Sequence, residues 1–178
     1  MEFETLQSRP MFNGRAVNVW LEKVQYPDGR QVSIEIVRHP GSVTILPVDE
    51  AGQVWFVRQY RHPAGQMLLE LPAGTLEPDE APVVTAAREI REEIGMAADE
   101  LLLLGSFFIA PGYSDEFMHT YLATGLNPDA LDQDSGEFIQ VEKFPIPEVF
   151  AMLERGEISD MKTVAVLALA RERLLSDW

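Results

Sequence analysis

Glu80, Glu89, Glu92 and Glu93 stand with Arg88 at helical spacing in the stretch from Gly74 to Met96, GTLEPDEAPVVTAAREIREEIGM. Clustered carboxylates suit a hard divalent cation, because Mg²⁺ and similar ions prefer oxygen ligands. The stretch reads as a helix from Ala81 to Ile94. After Pro82 it holds neither proline nor glycine, and Ala86, Ala87, Ile90 and Ile94 recur at the i, i+3, i+4 spacing of an apolar face. On the opposite stripe Glu89 and Glu93 lie one turn apart, Glu92 follows Glu89 by three, and Glu80 enters from the helix start. Carboxylates about 4 Å apart repel by about 4 kcal/mol at an effective dielectric of about 20. A cation filling the cluster removes that cost. A solvated acidic face, the commoner fate of a lone Glu-Glu pair, dilutes it, but the pattern here is much longer than a pair.

A helix that carries chemistry needs a scaffold. Upstream, Val17, Val19 and Leu21 alternate with Asn18, Trp20 and Glu22, and Val32, Ile34 and Ile36 alternate with Ser33 and Glu35. Both segments read as strands, and Tyr26-Pro27-Asp28-Gly29 supplies the turn between them. Residues 16–38 are therefore expected to form a hairpin after a frayed N-terminal start. A hairpin alone is marginal in water, so it must pack on the rest of the chain, on a partner chain, or on both. His39-Pro40-Gly41 is a breaker triplet, expected to separate an N-terminal extension, residues 1–40, from a main domain, residues 41–178.

In the main domain, 43–48 and 54–60 are apolar, β-branched runs joined by Asp49-Glu50-Ala51-Gly52, and 66–71 is a further short strand. It leads into a Pro72-Ala73-Gly74 turn and the acidic helix. Beyond the helix, 101–109 and 116–122 read as strands around Ala110-Pro111-Gly112, 124–136 as a polar mobile loop, and 138–144 as a strand. Two helices close the chain: 147–155, ended at Gly156, and 160–175, with Val164, Leu167, Ala168 and Leu174 as its apolar face. Central strands with inserted and appended helices make an α/β fold, a mixed sheet flanked by helices on both faces.

Composition removes whole classes of function. With 178 residues and 46% apolar content the chain can bury one compact core plus a modest extension. It has no cysteine, which excludes disulfides, thiolate catalysis and cysteine-bound zinc. Acidic side chains outnumber basic ones 29 to 14, the net charge is −15, and no run of Lys or Arg is segregated, so no nucleic acid partner is expected. The longest mostly apolar run, 101–110, is broken by Gly105 and Ser106 and is far shorter than the ~20 residues of a membrane span. The N-terminus lacks an apolar signal core. No membrane partner and a cytoplasmic location are expected. His39, His62 and His119 are scattered without zinc-site spacing, and no nucleophile elbow or Walker loop competes for the site.

Read by spacing, the acidic stretch is Gly74, five residues, Glu80, seven residues, Arg88-Glu89-Ile90, one residue, Glu92-Glu93, one residue, Gly95-Met96. It resembles the Nudix box at every defined position without a gap. The flanks Val57-Arg58-Gln59-Tyr60-Arg61 and Glu70-Leu71-Pro72-Ala73-Gly74 resemble the ADP-ribose pyrophosphatase branch of that family, as does Pro111, sixteen positions beyond Gly95. The resemblance covers residues 40–145 well and the two ends more loosely. It implies a Nudix α/β/α sandwich with a small N-terminal antiparallel β extension, a Mg²⁺ cofactor with Mn²⁺ as a substitute, and a homodimer; in relatives the extension is exchanged between the two subunits.

The resemblance also implies roles for individual residues. Glu89, Glu92 and Glu93 would be metal ligands together with the Ala73 carbonyl, Glu92 and Glu93 would serve catalysis, Arg88 would hold the glutamates by ion pairing, and Glu80 would be more peripheral. Arg61, with Arg58 beside it, would meet substrate phosphate, whose oxygens a guanidinium matches bidentately. The alternative for Arg61 is a surface arginine at a strand end. The loop from Pro111 to Glu116 would wall the pocket, with Glu116 directed to ribose hydroxyls or a metal-bound water. A general base would come from a loop after the sheet: Glu137 first, then Asp134 and Asp132, unless these acids only solvate the loop. Trp20 is a core or interface aromatic, or a residue stacking on the base. Gln59 and Glu70 carry no assigned role. The implied reaction is hydrolysis of the pyrophosphate of ADP-ribose, or a similar nucleoside diphosphate sugar, to AMP and ribose 5-phosphate. The rivals are a pyrophosphatase preferring FAD, GDP-mannose or another dinucleotide, and a non-catalytic ADP-ribose sensor, against which the intact Glu89, Glu92 and Glu93 speak.

Overall fold

The computed structural model describes residues 2–15, 17–132 and 138–177. Glu137 and Asp134, two of the three candidate bases, lie outside the described residues. The chain forms two compact units, residues 1–41 with 107–118 and residues 42–106 with 119–178.

In the first unit, β1 (Glu4–Asn13), β2 (Asn18–Gln25) and β3 (Gln31–Arg38) form an antiparallel sheet in the order β1-β2-β3. The frayed start expected from the sequence is instead the strand β1, paired from Glu4 opposite Gln25 to Asn13 opposite Asn18. All ten of its residues are exposed and its register slips twice, so no in-and-out alternation marks it; the free edge of β2 recruits it through backbone hydrogen bonds. The segment 107–118 joins through backbone bonds as well: the Val37 N–H donates to the Tyr113 carbonyl at 2.7 Å, and the Asp115 N–H donates to the Val37 carbonyl at 3.2 Å. Arg38 reinforces this, donating to Glu22 at 2.6 Å and to Asp115 at 2.8 Å.

The second unit carries β4 (Ser42–Pro47), β5 (Gln53–Arg61), β6 (Gln66–Glu70), β7 (Ala73–Thr75), α1 (Pro82–Ile94) and most of β8 (Met96–Phe108). It continues with most of β9 (Phe117–Pro128), then β10 (Ile139–Pro145), α2 (Ile146–Glu154) and α3 (Met161–Asp177). The strands form two sheets, ordered β10-β5-β6 and β7-β4-β9-β8. The turn expected at residues 73 and 74 is the short strand β7, which pairs with β4. The strand expected over 101–109 begins at Met96, and the one expected over 116–122 runs to Pro128, taking the first part of the expected loop.

Period-two alternation sorts the core into two clusters. Leu46, Val48, Val54 and Phe56 pack with Phe150 of α2 and with Leu167 and Leu174 of α3. Val43, Ile45 and Val57 pack instead with Ala86, Ile90 and Ile94 of α1. Helices thus cover both faces of the strands, and β4 is buried at all six positions, as a strand covered on both sides must be. On α3 the buried stripe is Val166, Leu167, Ala170 and Leu174, whereas the expected Ala168 is exposed. A fully buried Ile90 contributes about 1.5–3 kcal/mol, which seats α1 on the sheet and fixes where its acidic side faces.

Candidate active site

Local chemistry sets both ends of α1. Pro82 stands at its first turn, where its missing N–H costs no helical bond. Gly95 closes the other end at φ +70°, a left-handed conformation that glycine adopts without a Cβ clash, and its N–H donates to the Ile90 carbonyl. Just before the helix, Glu80 accepts hydrogen bonds from the Thr85 hydroxyl at 2.9 Å and the Glu77 N–H at 3.3 Å.

Arg88 gathers the acidic face around itself. It donates to Glu89 and to Glu92, each at 2.7 Å, and to both oxygens of Glu80 at 3.1 and 3.2 Å. Burial opposes its charge, yet the hydrogen bonds to Glu80 and the charge and hydrogen bond of Glu89 hold its pKa above the ordinary guanidinium value. The hydrogen bond from Arg88 in turn lowers the pKa of Glu80. Glu93 is buried, and one of its carboxylate oxygens accepts the Ala73 N–H at 3.0 Å, which ties the helix to β7. The neighbouring Gly74 lies against Glu89: a Cβ there would sit 1.9 Å from the Glu89 carboxyl carbon. Only a residue without a side chain admits that carboxylate.

On the adjacent hairpin Arg61 forms a bidentate pair with Glu70, both bonds at 2.8 Å. Glu70 raises the Arg61 pKa against the cost of burial, and the charges of Glu93 and Asp160 add to that effect. Arg58 is engaged elsewhere, donating to Glu142 of β10 at 2.5 and 3.0 Å. Ala73, Glu80, Arg88, Glu89, Glu92, Glu93 and Arg61 thus all belong to the second unit. Trp20, Pro111 and Glu116 belong to the first. There Pro111 lines a cleft of about 320 Å³ with Ile36, Arg38, Phe108 and Tyr113, while Trp20 sits in β2 opposite Pro10 and Ile36. The Glu116 N–H donates to the Ser114 hydroxyl at 3.2 Å.

The sequence reading passed over Arg38, Asp160, Lys162 and Thr163. For Asp160 and Thr163 a local signal exists, since an aspartate immediately before a helix with a threonine three residues on is a capping pattern. For the pairing of Arg38 with Asp115 and of Lys162 with Glu70 there is none: these partners lie 77 and 92 residues away.

A hard divalent cation fits this donor set, which consists of carboxylates and main-chain carbonyls with no sulfur or imidazole. Among the described residues no three acidic or histidine side chains are already gathered at cation-binding distances, because Glu89 and Glu92 turn their oxygens to Arg88. Arg88 is the cation paired with Glu80, Glu89 and Glu92 in this arrangement, so its removal should be felt most without metal.

Arg88→Met is expected to destabilise the metal-free protein by about 2–4 kcal/mol, slightly below the cost of breaking a fully buried pair because Arg88 keeps 23% of its side-chain exposure. Saturating Mg²⁺ should narrow the gap. Acid should narrow it too. The lowered pKa of Glu80 contributes stability that is present above the unfolded carboxylate value of about 4.3 and is lost as pH falls through the lower folded value. Thermal denaturation of both proteins with and without Mg²⁺, from neutral pH to acid, checks this; a difference in melting temperature independent of both metal and pH would refute it.

The NUDIX domain family model matches residues 38–167. Two relatives named ADP-ribose pyrophosphatase, from Bacillus subtilis (strain 168) and Mycobacterium tuberculosis (strain ATCC 25618 / H37Rv), are 34% and 39% identical to the chain. The matches cover 92% and 94% of this chain and 89% and 83% of the relatives. A third relative, a methanol dehydrogenase activator from Bacillus methanolicus, is 37% identical over 92% of this chain and 89% of its own. A solved structure of an ADP compounds hydrolase superposes with a TM-score of 0.89 over 99% of this chain and 96% of that one, at 24% identity, and shares the fold. Since the family match spans most of the chain and contains the helix on which Arg88 holds its three glutamates, the chain belongs to the Nudix hydrolase family.

Proposed function

We propose that the protein hydrolyses the diphosphate of ADP-ribose, or of a similar nucleoside diphosphate sugar, to AMP and ribose 5-phosphate with Mg²⁺, for which Mn²⁺ can substitute. The observation that carries this is the convergence on α1 and β7: Glu80, Glu89 and Glu92 on one guanidinium, and Glu93 on the Ala73 N–H. Nudix hydrolases as a class use divalent metals. In this reading the Ala73 carbonyl, Glu89, Glu92 and Glu93 hold the metal, which when bound neutralises charge on the diphosphate oxygens and lowers the barrier to attack by water. Arg88 keeps the carboxylates in register. Arg61, already oriented by Glu70, offers its remaining N–H donors to a phosphate oxygen. Arg58 is the second phosphate candidate, and reaching substrate would require it to exchange Glu142. Pro111, Glu116 and Trp20 serve the nucleoside and ribose, and Glu137 serves as the general base.

Residues 1–40 act in this reading as a dimerisation and substrate-binding element, because Phe3, Leu6, Met11 and Phe12 on and beside β1 are exposed apolar side chains that a second copy of the chain would cover. Two relatives whose names specify ADP-ribose favour that substrate, and a cytoplasmic site accords with it. Among the described residues no helix is long and apolar enough to cross a membrane. The relative named as an enzyme activator supports a second reading, in which binding of the nucleotide matters to a partner protein.

One screen separates these readings: turnover of ADP-ribose, FAD, NADH, ADP-glucose and GDP-mannose at matched Mg²⁺, followed by chromatography. ADP-ribose should have the highest kcat/KM and yield AMP with ribose 5-phosphate. Preference for FAD or GDP-mannose would reassign the substrate, and tight binding with no turnover would favour the partner-directed role.

A further inference from the structure

Glu70 is a buried acid of the second unit. Its side chain is 1% exposed, yet two cations reach it: Arg61 through both carboxylate oxygens, and Lys162 from the first turn of α3. Burial alone would favour the neutral acid, but the Arg61 hydrogen bonds and the Lys162 charge hold its pKa below the ordinary carboxylate value. Lys162 is itself anchored, donating to Asp160 at 2.9 Å. The same Asp160 oxygen accepts the Thr163 hydroxyl at 2.6 Å and the Thr163 N–H at 3.1 Å. The Thr163 hydroxyl oxygen then accepts the N–H of Leu71, the residue after Glu70, at 2.9 Å.

The bonds therefore close a ring from Glu70 through Lys162, Asp160, Thr163 and Leu71 back to Glu70. A ring that holds both the backbone and the carboxylate of one residue leaves that carboxylate a single orientation. Its outward product is the pose of Arg61, whose Nε and one terminal nitrogen are pinned to Glu70 while the side chain remains 41% exposed. A guanidinium has five N–H donors, so three remain for a ligand, in a fixed plane. Lys162 fastens the first turn of α3 to the end of β6 through Glu70, since its other partner, Asp160, stands at the start of α3 itself. Here it also neutralises the acid that aims an exposed arginine.

We propose that Lys162, anchored by Asp160, is a positioning residue that acts through Glu70 to hold Arg61 in its diphosphate-binding orientation. This rests on the reading of Arg61 as a phosphate contact. With Lys162 removed, Glu70 is a buried carboxylate with one cationic partner, free to rotate and carry Arg61 with it. Substrate affinity then falls because a pre-oriented donor must be ordered on binding.

The test is a double-mutant cycle on KM and kcat for ADP-ribose at saturating Mg²⁺, with Arg61→Met, Lys162→Met, both together, and Lys162→Arg, each checked for its melting temperature. Arg61→Met should raise KM at least ~10-fold, the loss of a charge-assisted hydrogen bond. Lys162→Met should raise KM about 5–20-fold and change kcat less than about threefold, and in the Arg61→Met background it should add less than about twofold, because both act through one contact. Lys162→Arg, which keeps the charge, should recover most of the loss. A wild-type KM for Lys162→Met, or a full multiplicative effect in the double variant, would overturn the proposal and leave the lysine a fastening for α3. A wild-type KM for Arg61→Met would instead sink the reading of Arg61. If Lys162→Met does not fold, Asp160→Asn takes its place in the cycle, since it keeps the helix cap but removes the anchoring charge. A raised KM that vanishes in the Arg61→Met background would then support the proposal, and a wild-type KM would overturn it.

Discussion

Glu93→Gln is expected to lower kcat/KM by about 10²–10⁴-fold, the range a general acid–base or charge-bearing group supplies, while the fold stays intact. Glu93 is 4% exposed and holds the Ala73 N–H through one oxygen. Glutamine is nearly isosteric, and its amide oxygen can keep that bond. What disappears is a negative charge in a cluster that already contains Glu89 and Glu92. Mutual repulsion in the metal-free protein falls, so the melting temperature should stay level or rise, while affinity for Mg²⁺ falls. A calorimetric Mg²⁺ titration, a melting curve and steady-state kinetics read the three effects separately. Activity within about threefold of wild type would reject Glu93 as a catalytic or metal-holding group, since removing either role costs far more.

Gly74→Ala should cost about 10–100-fold in kcat/KM, the penalty of displacing a reacting or ligand group by about 1 Å. The new Cβ would sit 1.9 Å from both the carboxyl carbon and one oxygen of Glu89. The three nearest atoms to that Cβ all belong to the flexible Glu89 side chain and Gly74 is not in the left-handed region, so the side chain is expected to yield and the fold to survive. The loss should appear in Mg²⁺ affinity and rate, with little change in melting temperature. Gly95→Ala provides the contrast: its Cβ would meet only the Ala130 Cβ at 3.5 Å, but the backbone there is at φ +70°. That variant should lose about 1 kcal/mol of stability and little activity. If the two substitutions behaved alike, the division between a glycine needed for space and one needed for backbone geometry would be wrong.

The same division separates what could be read along the chain from what could not. Helix α1 was legible because its signals are local: an apolar stripe, a proline at its start and a glycine at its end, all within one 23-residue window. The spacing alone put Glu89, Glu92 and Arg88 on one face, since i, i+3 and i+4 neighbours meet on any helix. Strands β2 and β3 and the two closing helices were legible for the same reason. Strand β1 was not, because an exposed edge strand needs no alternation, only a partner edge. Strand β7 was not, because three residues are too few to show a period.

Within the candidate site the sequence determined the donor chemistry: oxygen ligands on one helix face, a single arginine among them, and a glycine before them. The tertiary structure alone decided that Glu80 and Thr75 close on that arginine, that Gly74 presses against Glu89, and that Arg58 faces Glu142 while Arg61 is aimed by Glu70. The clearest case is Lys162, which meets Glu70 across 92 residues of chain. Helical period carries information over a few turns. Which distant side chain fills the space beside a buried carboxylate is settled only when α3 packs against the sheet, and no pattern near either residue announces it.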